Sequence, residues 1–163
     1  MVGTYSQSDT NTYTESRANY VMGKVYEDTL NLYLAGLITK ERADQIRRDL
    51  LYLMNKKALR YFQLQFFKPD GTEVGGLHYE LKSDSSISGD AASGGLDFWG
   101  LPSNTRVTLL VDIDRSSSSI QEVDRQLNDW GWGTGQALTG AHEYLKSYSK
   151  EGYGVQQSIV GKW

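Results

Sequence analysis

Apolar residues recur at helical spacing in two segments of the first third of the chain. The first segment follows residues 12–15, which have the spacing of a capping box at a helix start. Gly36 suits a left-handed end to this helix, and Thr39 predicts the start of a second one. Because their connection is so short, the two helices are expected to pack as an antiparallel pair. The apolar stripes are Ala18, Val21, Met22, Val25 and Leu32, then Ala43, Ile46, Leu50 and Leu53.

The hydrophobic period then changes to two, which is typical of strands. Phe62, Leu64 and Phe66 alternate with polar or amphipathic neighbours across residues 58–67. A proline-glycine turn at residues 69–71 joins this strand to a second one around residues 77–81, predicting a hairpin with one solvated face. A third strand carries inward-facing Val107, Leu109, Val111 and Ile113, and its alternation assigns Asp112 and Asp114 to the solvent face.

A third helix and a glycine-rich end complete the pattern. Residues 119–122 form a second capping box, and Gly131 and Gly133 are expected to end the helix. Farther on, residues 150–152 predict the turn of a hairpin between residues 143–149 and 153–160. The apolar face of the helix consists of Ile120, Val123, Leu127 and Trp130.

Two segments lack periodicity. Residues 1–11 are polar and are interpreted as a flexible tail or a short peripheral strand. Residues 83–103 hold six serines and four glycines and are interpreted as a long loop. Leu96, Phe98, Trp99 and Leu101, near the end of that loop, are expected to fold back onto the body of the protein.

The order of elements predicts the fold class. It reads helix, helix, three strands, helix, strand and a further possible strand, with the first strands joined by a tight turn. We expect an α+β domain with three helices on one face of a mostly antiparallel sheet. At 163 residues, the whole chain 1–163 is expected to form a single domain.

Composition excludes several functional classes. The chain has no cysteine, so disulfides and thiolate metal sites are excluded, and its two histidines make a histidine-built metal site improbable. A net charge of -3 disfavours non-specific nucleic-acid binding. The start of the chain lacks the features of a signal peptide, and no apolar run approaches the roughly 20 residues of a membrane span. A cytoplasmic protein that binds neither nucleic acid nor membrane is therefore expected.

Charge is unevenly distributed. Residues 38–68 contain eight basic and three acidic residues, a net +5, whereas residues 69–130 contain four basic and eleven acidic residues, a net -7. The simpler interpretation is one basic helix face and one acidic face. The alternative is a polarised docking surface that acts on association rate and partner choice.

No catalytic pattern outweighs its structural interpretation. Asp112 and Asp114 have the spacing of a magnesium-binding pair, but no nucleotide-binding loop precedes them. Gly131, Gly133 and Gly135 follow a helix rather than a strand, which disfavours a phosphate cradle. His142 next to Glu143 has the composition of an acid-base couple but lacks a nucleophile motif, and a solvated position is expected for His78. An enzyme is therefore not expected.

The last thirty residues combine aromatic side chains with glycines. Tyrosine and tryptophan give contact area with few rotors, and glycine gives mobility, which suits an element that clamps a partner. An ordinary terminal hairpin that completes the sheet explains the same composition equally well. The aromatic residues concerned are Trp132, Tyr144, Tyr148 and Tyr153.

Both ends of the chain resemble a known family. Residues 5–25, which begin Tyr5-Ser-Gln-Ser-Asp, resemble the start of bacterial HORMA-domain proteins, and residues 144–160, which begin Tyr144-Leu-Lys-Ser-Tyr, resemble their ending. The order of elements is similar over nearly the whole chain. The segment from residue 83 to residue 102 matches nothing in this resemblance.

The resemblance implies a peptide-binding switch that uses no cofactor. Its C-terminal safety belt, residues 132–163, would close over a closure-motif peptide that adds to the sheet as a strand. The closed form would activate a cGAS/DncV-like nucleotidyltransferase in anti-phage (CBASS) signalling. A second HORMA protein is a further candidate partner, and whether it is needed stays open. A remodelling AAA+ ATPase would reset it by engaging the N-terminal tail, with Tyr5, Ser6 and Asp9 as candidate contacts. The resemblance does not determine which side chains touch the peptide; their aromatic chemistry makes Trp130, Trp132, Tyr144, Tyr148 and Tyr153 the candidate contacts.

Two other hypotheses remain at this point. One is a constitutive scaffold or adaptor whose C-terminal hairpin never moves. The other is a small enzyme that uses Asp112, Asp114 or His142.

Overall fold

A pair of helices opens the part of the chain that the computed structural model describes, which is residues 15–81, 92–93, 100–136 and 142–150. Helix α1 spans Glu15–Leu34 and helix α2 spans Lys40–Asn55. Gly36 ends α1 with a φ of 83°, and the hydroxyl of Thr39 accepts the Arg42 N–H to cap α2. Both sequence signals are confirmed. The Thr12 half of the first capping box lies outside the described residues.

The strands of the described part form one antiparallel sheet. The strands are β1 Leu59–Phe67, β2 Glu73–Glu80, β3 Ala92–Ser93, β4 Arg106–Ile113, β5 Gly133–Gln136 and β6 His142–Ser147. Helix α3, Ile120–Asp129, lies between β4 and β5 in the chain. The strand order in the sheet is β3-β2-β1-β4-β6-β5, so β3 joins the first hairpin at β2 and β4 joins it at β1.

The helices of the described part share one face of this sheet. Tyr79, Phe62, Val111 and Tyr144 pair in one row across β2, β1, β4 and β6, so their side chains share a face. At one end of the row, Tyr79 donates its hydroxyl hydrogen to Asp28 of α1. At the other end, Tyr144 reaches α3, and Tyr148, four residues along, reaches α2. The predicted α+β class, with helices on one face, is confirmed.

The core lies between the helices and this face. The Phe62 and Tyr79 rings stack with centroids 4.5 Å apart and planes 12° apart. Leu101 packs against the same core, as predicted, whereas Leu96, Phe98 and Trp99 lie outside the described residues. Fully buried members from each helix include Val21, Val25, Leu32, Ile46, Leu50, Leu53, Val123 and Leu127.

The prediction that one face of β4 is exposed to solvent is wrong. Asp112 is 4% exposed and Asp114 is 7% exposed, and Thr108 on the same strand is fully buried. Strand β4 lies between β1 and β6, and it is buried on both of its faces. Alternation assigns residues to two faces, but it does not reveal whether the second face is covered.

The capping role predicted for Ser119 is also wrong. Helix α3 begins at the expected place, but the Ser119 side chain makes no cap hydrogen bond. Its hydroxyl instead donates to the carbonyl oxygen of Lys56 at 2.6 Å. The side chain therefore connects the start of α3 to the end of α2, a tertiary use that the capping pattern does not reveal.

The strand pairing of the glycine-rich end differs from the predicted hairpin. Strand β6 pairs with β4 on one side and with β5 on the other, so β5 occupies the edge of residues 142–145. Gly133, expected to end α3, instead begins β5, while Gly131 ends the helix with a φ of 82°. Residues 153–160 lie outside the described part, as does most of the predicted 83–103 loop, within which the short strand β3 pairs with β2.

Candidate functional site: the attachment of β6

Strands β5 and β6 are the last two in the sheet order. Strand β6 is their attachment to the rest of the sheet, through its ladder with β4 from Thr108 paired with Ser147 to Asp112 paired with Glu143. Within the described residues, β5 pairs with β6 alone. Removing both strands would leave β3-β2-β1-β4 with its pairings intact. The β5–β6 unit, defined here as residues 132–136 with residues 142–148, is therefore separable in topology.

A buried carboxylate on α2 holds the helix-facing side of β6. Asp49 is fully buried, and one of its oxygens accepts the hydroxyl hydrogen of Tyr148 and lies 3.2 Å from Lys146 Nζ. Its other oxygen accepts from Arg48 Nε and Nη2 at 3.2 and 3.1 Å. Burial first, and then the negative charge of Asp49, raise the pKa of the Tyr148 hydroxyl well above its usual value. Tyr148 therefore remains a hydrogen-bond donor at neutral pH.

A second carboxylate, on α3, holds the other end of β6. Asp124 Oδ1 accepts from the Tyr144 hydroxyl at 2.5 Å and from Arg115 Nη1 at 2.8 Å. Burial, followed by the hydrogen bond and charge of Asp124, raises the pKa of Tyr144 to about 12. The same carboxylate raises the pKa of the Arg115 guanidinium through its hydrogen bond. This site repeats the chemistry of the Asp49 site, with a tyrosine of β6 and an arginine outside it.

Gly131 separates two tryptophans that pack in different places. Trp130 contacts α2, where its ring meets Tyr52 edge to face at 5.1 Å and lies under the Arg48 guanidinium at 5.4 Å. Trp132 contacts the β5–β6 unit, with its ring 6.4 Å from that of Tyr148 and 5.9 Å from Lys146 Nζ. The left-handed Gly131 lies between these two packing environments. The belt border at residue 132 stays a prediction.

The comparison with known families identifies the fold. The family described as bacterial HORMA domain family 1 matches residues 3–161. The chain belongs to this family. No curated protein and no solved structure matches it. HORMA domains bind peptides and other proteins and are generally non-catalytic, so a role in protein interaction follows from membership.

The predicted peptide contacts of the HORMA domain differ in how far they are buried. Trp132, Tyr144 and Tyr148 are 4%, 6% and 0% exposed, and in this arrangement their rings face the helices rather than solvent. Trp130 is half-buried against α2. Their contact with a peptide therefore stays a prediction. Tyr153 and the predicted ATPase contacts Tyr5, Ser6 and Asp9 lie outside the described residues.

Sequence reasoning missed the helix side of this site. Asp49, Asp124 and Lys146 were not singled out, although Asp49 carries a detectable signal. It lies three residues after Ile46, inside the apolar stripe of α2, where a solvated carboxylate is not expected. An acidic residue at such a position predicts a buried partner, but the sequence does not reveal which one.

The other candidate groups of this HORMA domain lie in strands and in the turn after β4. Asp114 Oδ1 accepts from the Ser116 N–H and hydroxyl at 3.0 and 2.6 Å, which shapes the turn after β4. His78 Nε2 lies 2.6 Å from Glu80 Oε1 on a partly exposed strand. His142 lies in β6, and Gly133 and Gly135 lie in β5 rather than in a loop. The described residues contain no cluster of three potential ligands that could hold a metal ion.

None of the helices in the described part of the chain combines the length and the hydropathy that a bilayer span requires.

Proposed function

We propose that this HORMA domain is a peptide-binding switch whose safety belt is residues 132–163. The observation that supports this proposal is the position of β5 and β6 at the end of the sheet order. A segment that shares no strand pairing with β1, β2 or β3 can leave without disrupting them. The adjacent Gly131 gives the chain a pivot at the belt's first residue.

The peptide site would be the edge of β4. While β6 is in place, it pairs with β4 over residues 108–112. Departure of the belt would leave that row of backbone N–H and C=O groups open, and an extended peptide can satisfy them by adding as a strand. Backbone pairing supplies general affinity and side-chain pockets supply selectivity. The belt would then close over the peptide and slow its release.

Downstream, we propose the partners that the family resemblance implies. The peptide-bound domain would bind and activate a cGAS/DncV-like nucleotidyltransferase in anti-phage signalling in the cytoplasm. An AAA+ ATPase would reset it by engaging residues 1–11. Size-exclusion chromatography of the domain with such a synthase, with and without a bound peptide, tests this step. Co-elution that does not depend on peptide would contradict the switch.

An engineered disulfide between β4 and β6 offers a sharp test of belt movement. The Tyr148 N–H donates to the Val107 carbonyl at 2.8 Å, so the next pair, Thr108 with Ser147, is a non-hydrogen-bonded pair. Such pairs have Cα atoms about 4.5 Å apart, within the range of roughly 4.4–6.8 Å that a disulfide spans. Both residues are small, and no hydrogen-bond partner for Thr108 Oγ1 lies within the described part. Ser147→Cys replaces a hydroxyl that bonds to the Val107 carbonyl and to Ser149 at 3.2–3.4 Å, and the Ser147→Cys single variant measures that loss separately.

The experiment compares one double variant in two redox states. Peptides are selected from a random display library on the reduced protein, and their affinity is measured after oxidation. We expect the oxidised form to lose peptide binding and the reduced form to keep it. The single variants under the same oxidant are matched controls, and the natural chain has no cysteine of its own. Equal affinity in both redox states would refute a peptide site that the belt vacates.

A constitutive scaffold is the second candidate function. The full burial of Tyr148 and of Asp49 favours it, because a strand anchored in the core suits a permanent position. Hydrogen exchange distinguishes the two. In a scaffold, the β6 amides exchange only through global unfolding. In a switch, they exchange faster than the β1 amides, because the belt opens without unfolding the rest of the domain.

A further inference from the structure

We infer that Asp49 and Asp124 form a two-point latch that holds the belt in place. Each carboxylate keeps an arginine partner when the belt leaves, so the latch can be released. This inference rests on the proposed belt and describes what controls its opening. Each carboxylate belongs to a helix, accepts a hydroxyl hydrogen from a tyrosine of the β5–β6 unit, and also binds an arginine that would stay behind. The belt tyrosines are Tyr148 and Tyr144, and the arginines that stay are Arg48 and Arg115.

The arginine beside Asp49 lowers the free energy needed to release the belt. A buried carboxylate that loses its partners is strongly destabilised, because its desolvation is no longer compensated. When Tyr148 and Lys146 leave, Asp49 keeps the two hydrogen bonds from Arg48 on its other oxygen. Arg48 is the residue next to Asp49 on α2, and its side chain is 59% exposed. Release therefore leaves a paired carboxylate on the helix.

The belt contribution at Asp49 is concentrated in one cluster. Lys146 Nζ lies 3.2 Å from the carboxylate, 5.1 Å from the centre of the Tyr148 ring and 5.9 Å from that of Trp132. All three side chains belong to the β5–β6 unit, so they would move together. The Asp49 half of the latch thus joins one carboxylate of α2 to three side chains of the belt that already contact one another, so its strength depends on that carboxylate.

This arrangement predicts opposite effects for the two sides of the carboxylate. Asp49→Asn removes the negative charge. That charge both attracts Lys146 and strengthens the hydrogen bond from Tyr148, so the belt should open more often without it. Arg48→Met keeps a side chain over Trp130 but removes the guanidinium, so the released carboxylate would lose the two hydrogen bonds that Arg48 supplies. Opening should then become rarer. A static salt-bridge cluster would instead be weakened by both substitutions.

Hydrogen exchange of the full-length protein without peptide measures the opening directly. The N–H of Tyr148 donates to β4, and by alternation so do those of Tyr144 and Lys146, so these amides report the β4–β6 ladder. We expect Asp49→Asn to accelerate their exchange by about tenfold or more, since hydrogen bonds to charged groups are among the stronger ones. Arg48→Met should slow their exchange by about threefold or more. Amides of β1 should not change.

Two further variants keep the test decisive. Asp44→Asn is the matched control, because Asp44 lies on the same helix, is 60% exposed and pairs with Arg47, away from the belt. If Asp49→Asn does not fold, Tyr148→Phe removes only the hydroxyl and should also accelerate exchange. Acceleration by both Asp49→Asn and Arg48→Met would overturn the latch. So would unchanged β6 exchange in Asp49→Asn, or equal acceleration in β1.

Different experiments refute the latch and the proposed function. The exchange experiment contains no peptide, so opposite effects at Asp49 and Arg48 support the latch even if no peptide binds. Conversely, loss of peptide binding on oxidation of the Thr108/Ser147 double variant, with unchanged exchange in Asp49→Asn, would preserve the belt and refute the latch.

Discussion

Tyr148, the residue directly after β6, donates its hydroxyl hydrogen to Asp49 of α2, a residue 99 positions earlier in the chain. Both side chains are fully buried. The contact joins the last described strand to the second helix, and it gives a buried carboxylate a neutral donor beside two cations. A tyrosine in a glycine-rich end thus becomes an anchor as well as a candidate contact for a partner.

The Tyr144 hydroxyl predicts a loss of stability in strong base. Burial and Asp124 raise its pKa to about 12 from the usual 10.0. Its contribution to stability is therefore complete below pH 10 and is lost as pH rises towards 12, because the unfolded chain ionises first. The difference in tyrosinate absorbance between the natural protein and Tyr144→Phe, followed against pH, measures this titration. A difference that titrates near pH 10 would contradict the assignment.

The C-terminal ends of the described helices predict a stabilising substitution. Gly36, Lys57 and Gly131 occupy the same left-handed position, and in each case the next residue donates to the carbonyl five residues earlier. Lys57, with a φ of 57°, is the non-glycine member. We expect Lys57→Gly to raise stability by up to about 1 kcal/mol, because it relieves a conformation that side chains disfavour.

Urea unfolding measures this effect, and Gly36→Ala is the matched control. That variant places a side chain at the equivalent position of α1 and should lower stability by about 1 kcal/mol. Changes of the same sign in both variants would show that the backbone conformation does not determine the outcome.

The hydrogen bond of the Ser119 hydroxyl predicts that replacing this serine with aspartate, a stronger capping residue, lowers stability. Aspartate is a strong capping residue at a helix start. Here, however, the side chain donates to the Lys56 carbonyl at 2.6 Å, and a carboxylate cannot donate. We expect Ser119→Asp to lower the free energy of unfolding by about 1 kcal/mol or more.

Thr39→Asp provides the comparison, because Thr39 accepts a true cap hydrogen bond from Arg42. It should stay within about 0.5 kcal/mol of the natural protein in urea unfolding. Equal tolerance of aspartate at both positions would mean that the bond between Ser119 and Lys56 contributes nothing.

Local patterns were sufficient for most of the individual elements. The 3–4 spacing of apolar residues in α1, α2 and α3, and the alternation around Phe62 and Leu77, depend on neighbours in sequence and so can be found without a structure. The two-residue strand β3 and the glycine-rich β5 escaped prediction because they carry little apolar pattern, and their pairing depends on a partner strand.

Spacing and turn chemistry, which act over a few residues, were enough to predict an α+β domain with three helices and a first hairpin, and both ends of the chain carry the family resemblance. The burial of Asp112 and Asp114, the position of β6 between β4 and β5, and the contacts of Asp49 and Asp124 with Tyr148 and Tyr144 became known from the fold alone. These outcomes depend on which surfaces meet when distant segments pack, and no periodicity in one segment encodes the identity of its partner.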